Sequence, residues 1–263
     1  MSLDRILIAN RSEIAMRVTR TIADRGGKSI LPYTAEDLTA PATALADEAY
    51  ALPAGSGYTD AQAILELAKS TGAQAIHPGY GFLAENVDFA KAVIEAGITW
   101  IGPAPEAMEA LGDKMSARQV AESAGVDPVP GITDAVTEAS VVKEFAARYS
   151  YPVALKRTDG GGGRGITVLY NDDEVDTTPA LDEFQTATPG TAGGTVTQIL
   201  EKFITYARHV ETQCARDTFG NFAVVSTRDC TLQRRNQKLL EEAPAPFLPA
   251  DIEQKLVENS RRL

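Results

Sequence analysis

The chain has 263 residues, enough for one large domain or two smaller ones, and 44% of them are hydrophobic, as in an ordinary globular protein. With 36 acidic against 25 basic residues the net charge is −11, which excludes a general nucleic-acid binder but not a site with local positive charge. Two cysteines, Cys214 and Cys230, without a C-x-x-C pair, suggest neither a disulfide framework nor a zinc site and fit a reducing, cytoplasmic setting.

Arg5–Ala9 reads as a buried strand, and Asn10 with Glu13 three residues on reads as a helix N-cap with a capping box. Ile14, Val18 and Ile22 mark the buried face of that helix, which Gly26-Gly27 ends. Strand 29–33, a helical stretch near 42–47, strand 49–52, helix 60–70, strand 74–77, helix 86–96 and strand 98–101 follow. Such alternation predicts a parallel, doubly wound sheet. No G-x-G-x-x-G follows the first strand, which counts against a dinucleotide cofactor. His77-Pro78-Gly79-Tyr80-Gly81-Phe82 falls at the carboxyl end of a strand, where ligands of open α/β sheets gather.

Residues 103–125 read as two short helices with Gly112-Asp113-Lys114 at their junction, and Asp127-Pro128-Val129-Pro130-Gly131 as a linker. After helix 135–149, two β-prone runs flank Lys156-Arg157-Thr158-Asp159-Gly160-Gly161-Gly162-Gly163-Arg164-Gly165. Glycines disfavour both helix and strand, so a run of them between strands suits close approach of backbone N–H groups to an anion such as phosphate. The loop is expected to be mobile without nucleotide. Residues 195–200 read as a strand, followed by Glu201-Lys202-Phe203-Ile204. Residues 209–216 and 221–230 read as a hairpin, with His209, Glu211 and Gln213 on one face by two-residue alternation. Arg228, Arg234, Arg235 and Lys238 concentrate positive charge in an acidic chain, with Lys202 joining them if its strand pairs there; this suits a small anion. A stiff acidic turn, Glu241-Glu242-Ala243-Pro244-Ala245-Pro246, leads to a helix from 249 with no closing cap, so the chain is expected to stop inside a domain.

Five stretches stand in the order and spacing of biotin carboxylase: Ile6–Arg11, His77–Asn86, Gly112-Asp113-Lys114, Gly160–Gly165 and Arg228–Arg235, with Glu241–Pro246 continuing the match. The chain resembles that family over essentially its whole length. The resemblance implies an α/β fold with a Rossmann-like parallel sheet (the pre-ATP-grasp domain, residues 1–102). A helical linker (103–130), a small α+β ATP-grasp lid (131–204) and the start of a truncated ATP-grasp domain (205–263) would follow. It implies carboxylation of biotin by bicarbonate through carboxyphosphate, using ATP and magnesium, with the biotin on a carrier domain. A carboxyltransferase subunit and a homo-oligomer are the implied partners, with no nucleic acid and no membrane.

By position, Lys114 and Lys156 match phosphate-contacting lysines, and Gly162 and Gly163 the loop that closes over the phosphates. Glu201, Lys202, Phe203 and Ile204 match the segment that reads adenine, largely through its backbone. His209, Gln233 and Asn236 match nucleotide contacts, and Lys238 a bicarbonate contact. The resemblance places the metal carboxylates beyond Leu263, so no metal ligand is expected in this chain and turnover by it alone is not expected. Ser12 stands where the family usually has glycine, Asp159 adds negative charge near the phosphates, and Asn236 replaces a frequent histidine. The family includes acetyl- and propionyl-CoA carboxylases of fatty acid metabolism; the alternatives are the equivalent part of pyruvate carboxylase, and a nucleotide-binding module without turnover.

Overall fold

The computed structural model describes residues 3–112, 114–157, 165–181, 198–234 and 237–263. The chain divides into two compact units, residues 1–113 and 114–263.

The first unit holds five parallel strands, β1 (Arg5–Ile8), β2 (Lys28–Tyr33), β3 (Glu48–Ala51), β4 (Ala75–His77) and β5 (Thr99–Trp100), in the order β3-β2-β1-β4-β5. Helices α1 (Ser12–Asp24), α2 (Pro41–Leu45), α3 (Ala61–Ser70), α4 (Val87–Glu95) and α5 (Pro105–Gly112) accompany them. Alternation along the strands feeds two cores. Leu7, Ile30 and Ile76 face Ile64, Phe89 and Val93 of α3 and α4, while Ile8 and Leu31 face Ala15, Ile22 and Ala42 of α1 and α2. The sheet is therefore doubly wound, as the alternation predicts. Asp60 and Asn86 cap α3 and α4 through their side chains.

The strand order reverses at β1, so the carboxyl ends of β1 and β4 open a crevice. Here the structure corrects the reading of Asn10. Helix α1 begins at Ser12 without any side-chain cap. Asn10 is wholly buried instead and its Nδ2 donates to the carbonyls of Pro78 (2.8 Å) and Tyr80 (2.9 Å). The two carbonyls, left without a ladder partner where β4 ends, need donors in the interior, and this need outweighs the cap. Gly79 packs so close that a Cβ there would stand 2.6 Å from Asn10 Nδ2. Ser12 sits at φ 53°, the left-handed region that favours glycine, which accounts for the glycine expected at this position.

The second unit holds α6 (Lys114–Ser123), α7 (Ala139–Tyr149), α8 (Asp172–Thr177) and α9 (Ala250–Arg262) among its described residues. Strands β6 (Gly131–Ile132), β7 (Val153–Arg157), β8 (Ile166–Leu169) and β9 (Gln198–Lys202) form an antiparallel sheet in the order β6-β9-β7-β8. Val142 and Phe145 of α7, Val175 of α8 and Val153, Leu155, Leu169 and Leu200 of the sheet make its core. A second antiparallel sheet, β10-β11-β12, comprises β10 (Val210–Arg216), β11 (Phe222–Arg234) and β12 (Gln237–Glu242). Helix α9 packs on it through Ser260 Oγ, 2.8 Å from Thr212 Oγ1, and through Arg261 over the Phe222 ring. No described helix is long and apolar enough to cross a membrane.

Candidate active site

The glycine run joins two strands that pair with each other: Lys156 stands opposite Ile166, and the Arg157 amide donates to the Gly165 carbonyl at 2.9 Å. Gly162, Gly163 and the rest of 158–164 lie outside the described residues, as does Asn236, so the cradle, its expected mobility and the effect of Asp159 are not described. Lys114 opens α6. Lys156 pairs with the Glu201 carboxylate across β7 and β9. Lys202 lies in this same sheet, where its Nζ donates to the carbonyls of Ser150 (3.0 Å) and Pro152 (3.2 Å). It therefore does not join the cations of β11 and β12, because β9 pairs with β6 and β7 and not with β10. The Phe203 amide donates to the Pro152 carbonyl at 3.1 Å, and Ile204 is exposed.

The second sheet gathers the remaining residues. Its hub is Glu211 on β10. Lys238 Nζ on β12 donates to Glu211 Oε2 at 2.5 Å, and the Arg228 guanidinium on β11 pairs with Glu211 Oε1. Arg228 Nη1 also reaches Glu241 Oε2 at 2.9 Å, with Lys238 Nζ 3.8 Å from Glu241 Oε1. His209 Nε2 lies 3.5 Å from Glu211 Oε2, and Gln233 Nε2 lies 2.9 Å from His209 Nδ1. Strand register produces the cluster, since Glu211 is opposite Arg228, and Gln233 opposite Lys238. Alternation correctly put His209 and Glu211 on one face. The register stays regular through Gln213, opposite Ser226, with a bulge only after it, and Gln213 Nε2 donates to the Cys214 carbonyl at 3.4 Å.

Electrostatics follow from this packing. Burial alone would raise the Glu211 carboxyl, but the hydrogen bond from Lys238 and the charge of Arg228 hold it below the usual range. The same hydrogen bond raises Lys238 against the opposing effect of desolvation. Burial, then the Glu211 charge, pushes the Cys230 thiol up, so it stays a thiol and not a nucleophile. Beneath the cluster, Asp229 is held down to about 2 by hydrogen bonds from Thr231 and then from Arg208. Arg208 donates to Asp229 Oδ2 through Nε (3.0 Å) and Nη2 (2.8 Å) and to the Pro246 carbonyl at 2.6 Å, tying β11 to the acidic turn.

The acidic cluster of the second sheet does not suit magnesium. Among the described residues, Glu211, Cys230 and Glu241 bring three possible ligand atoms within 4.8 Å of one another. One of them is a thiol, a poor partner for a hard cation that prefers oxygen, and both carboxylates already face Arg228 and Lys238. Sequence reasoning singled out Lys238, His209 and Gln233 but left Glu211 and Glu241 without a role; carboxylates alternating with the cations Arg228 and Lys238 were the available signal.

The description "Biotin carboxylase, N-terminal domain" matches residues 2–108, and "Carbamoyl-phosphate synthase L chain, ATP binding domain" matches residues 113–263. The chain belongs to the biotin carboxylase family. It is 45% identical over 262 residues to the biotin-dependent acyl-coenzyme A carboxylase alpha3 subunit of Mycobacterium leprae, covering 98% of this chain and 43% of that one. Biotin carboxylase of Campylobacter jejuni, solved as a β,γ-ATP complex, superposes with a TM-score of 0.86 at 39% identity, covering 99% of this chain and 58% of that one. The biotin carboxylase domain of Hydrogenobacter thermophilus 2-oxoglutarate carboxylase, solved with MgADP, ADP and bicarbonate, gives 0.83 at 39% identity, over 98% of this chain and 57% of that one. The chain thus spans about half the length of the biotin carboxylases it matches.

Proposed function

We propose that this chain supplies the nucleotide- and bicarbonate-facing half of a biotin carboxylase that carboxylates biotin with ATP and bicarbonate. The observation that carries this reading is the cluster on β10, β11 and β12. Lys238 and Arg228, held by Glu211 and Glu241, put two cations beside His209 and Gln233 in a chain whose net charge is −11. Lys238 contacts bicarbonate. Lys114, Lys156, Gly162 and Gly163 contact the phosphates; Glu201, Lys202, Phe203 and Ile204 contact adenine; and His209, Gln233 and Asn236 contact the rest of the nucleotide. Lysines supply point charges, and backbone N–H groups supply oriented dipoles, for a phosphoryl transfer that depends on positioning and charge neutralisation.

Its setting is a cytoplasmic, homo-oligomeric acyl-CoA carboxylase of the acetyl or propionyl type, with a biotin carrier domain and a carboxyltransferase as partners. The domain limits proposed from sequence, 1–102, 103–130, 131–204 and 205–263, go with this reading. In this reading the metal carboxylates come from outside these 263 residues, and the 263 residues do not turn over by themselves. The test is an assay with ATP, magnesium, bicarbonate and biotin on this chain and on the complete enzyme. The complete enzyme should release ADP only when bicarbonate is present, and faster when biotin is also present. Biotin-dependent ADP release by the 263-residue chain, above a Lys114→Ala, Lys156→Ala control, would show that it suffices.

A further inference from the structure

Gln233 fixes which nitrogen of His209 carries the proton. Its Nε2 lies 2.9 Å from the Cys230 carbonyl oxygen and 2.9 Å from His209 Nδ1. A peptide carbonyl only accepts, so the amide must present its NH2 group here. Reversed, two oxygens would face each other at that distance with no proton between them. One hydrogen of the NH2 goes to Cys230, and the other meets Nδ1, which must be the bare, accepting nitrogen. The proton of the neutral ring then sits on Nε2, the nitrogen facing Glu211, whose carboxylate is itself held by Arg228 and Lys238. The main chain supports this arrangement. The His209 amide donates to Thr231 Oγ1 at 2.9 Å, and the Cys230 amide donates to the His209 carbonyl at 2.8 Å. With 49% of its side chain exposed, the imidazole remains open to a ligand.

We propose that Gln233 is a positioning residue that locks His209 as the Nε2–H tautomer. The ring then offers one directed donor, its Nε2–H, to a ligand oxygen. That the oxygen belongs to a nucleotide phosphate or hydroxyl rests on the proposed function; the tautomer itself does not.

The chain has only two histidines, so long-range 1H–15N correlation spectra can report on each. His77 Nδ1 accepts from the Gly79 amide at 3.0 Å and serves as an internal reference for correct folding. At mildly alkaline pH, His209 in the unmodified chain should favour Nε2–H by roughly tenfold, the scale of one net hydrogen bond. Gln233→Glu replaces the donor with an acceptor and should reverse the preference to Nδ1–H. Gln233→Leu should reduce the excess several-fold, with the His77 signals unchanged in both variants. An Nδ1–H or doubly protonated His209 in the unmodified chain, or a tautomer indifferent to both substitutions, would overturn the lock. If ADP shifts the His209 ring signals, the ring meets the nucleotide. If saturating ADP leaves them unmoved while the lock holds, the nucleotide assignment fails and the tautomer assignment stands.

Discussion

Lys156 on β7 is ion-paired with Glu201 on β9, two positions beyond its direct partner Ile199, so a residue proposed for phosphate and one proposed for adenine are each other's counterion. Phosphate must therefore compete with a carboxylate for Lys156. Replacing Glu201 with Gln removes the competitor while leaving the backbone proposed to read adenine. Partly exposed pairs are worth up to about 1 kcal/mol, so ADP should bind up to about fivefold more tightly to Glu201→Gln. Calorimetric titration of both proteins checks this; weaker binding by the variant would show that the Glu201 side chain itself contacts the base.

Lys238→Gln in the complete enzyme should slow bicarbonate-dependent ATP cleavage by at least about tenfold, as loss of one charge-assisted hydrogen bond entails, while changing ATP affinity much less. Equal losses in both quantities would move Lys238 to the phosphate site.

At Ser12 a side chain occupies a left-handed backbone position. Ser12→Gly should raise the stability of the first unit by about 1 kcal/mol, read as a higher midpoint in urea. The opposite change at Gly79 should be severe. Its φ is 67°, and a Cβ would meet Asn10 Nδ2 at 2.6 Å and Ile14 Cγ2 at 2.7 Å, so Gly79→Ala should cost more than about 2 kcal/mol. Gly55, at φ 88° with open space around it, provides the control: Gly55→Ala should cost about 1 kcal/mol.

Asp37 is nine-tenths buried and accepts both hydrogen bonds of the Arg11 fork at 2.6 Å and one from the Tyr58 hydroxyl at 2.6 Å. The bonds from Arg11, opposed by burial and helped by Tyr58, hold its carboxyl below the usual range. A lowered folded pKa means that the stabilisation is complete above the unfolded value of about 3.9 and is lost as pH falls through the folded value. Acid unfolding of Asp37→Asn should therefore be less steep than that of the unmodified chain below about pH 4. Parallel acid limbs would remove Asp37 from the account.

The first unit was legible in the sequence because period and punctuation agree there. Strands such as Arg5–Ile8 are short and apolar, and Asp60 and Asn86 cap as their types suggest; in α1 the spacing Ile14-Val18-Ile22 marked the helix, though the structure buries Ala15, Thr19 and Ile22 and leaves Ile14 and Val18 half-buried. Asn10 misled because a capping residue and a buried donor look alike until the partner 68 residues away is in place. Lys202 misled for the same reason. Its distance from Arg228 depends on which strands pair, and the pairing of β9 with β7 is a contact across some 45 residues that local composition does not encode. Glu211 was visible as one of an alternating set, yet its place among Arg228, Lys238 and Glu241 appears only once β10, β11 and β12 are in register.

That centre is electrically balanced, with two cations, Arg228 and Lys238, against two carboxylates, Glu211 and Glu241. An arriving anion does not fall into a bare positive well; it exchanges with a carboxylate already in place. Exchange of like for like gives little net attraction and little dependence on ionic strength, so selection among small anions rests on shape and hydrogen-bond direction. If Lys238 contacts bicarbonate as proposed, the same exchange would ease the anion's departure as much as its entry.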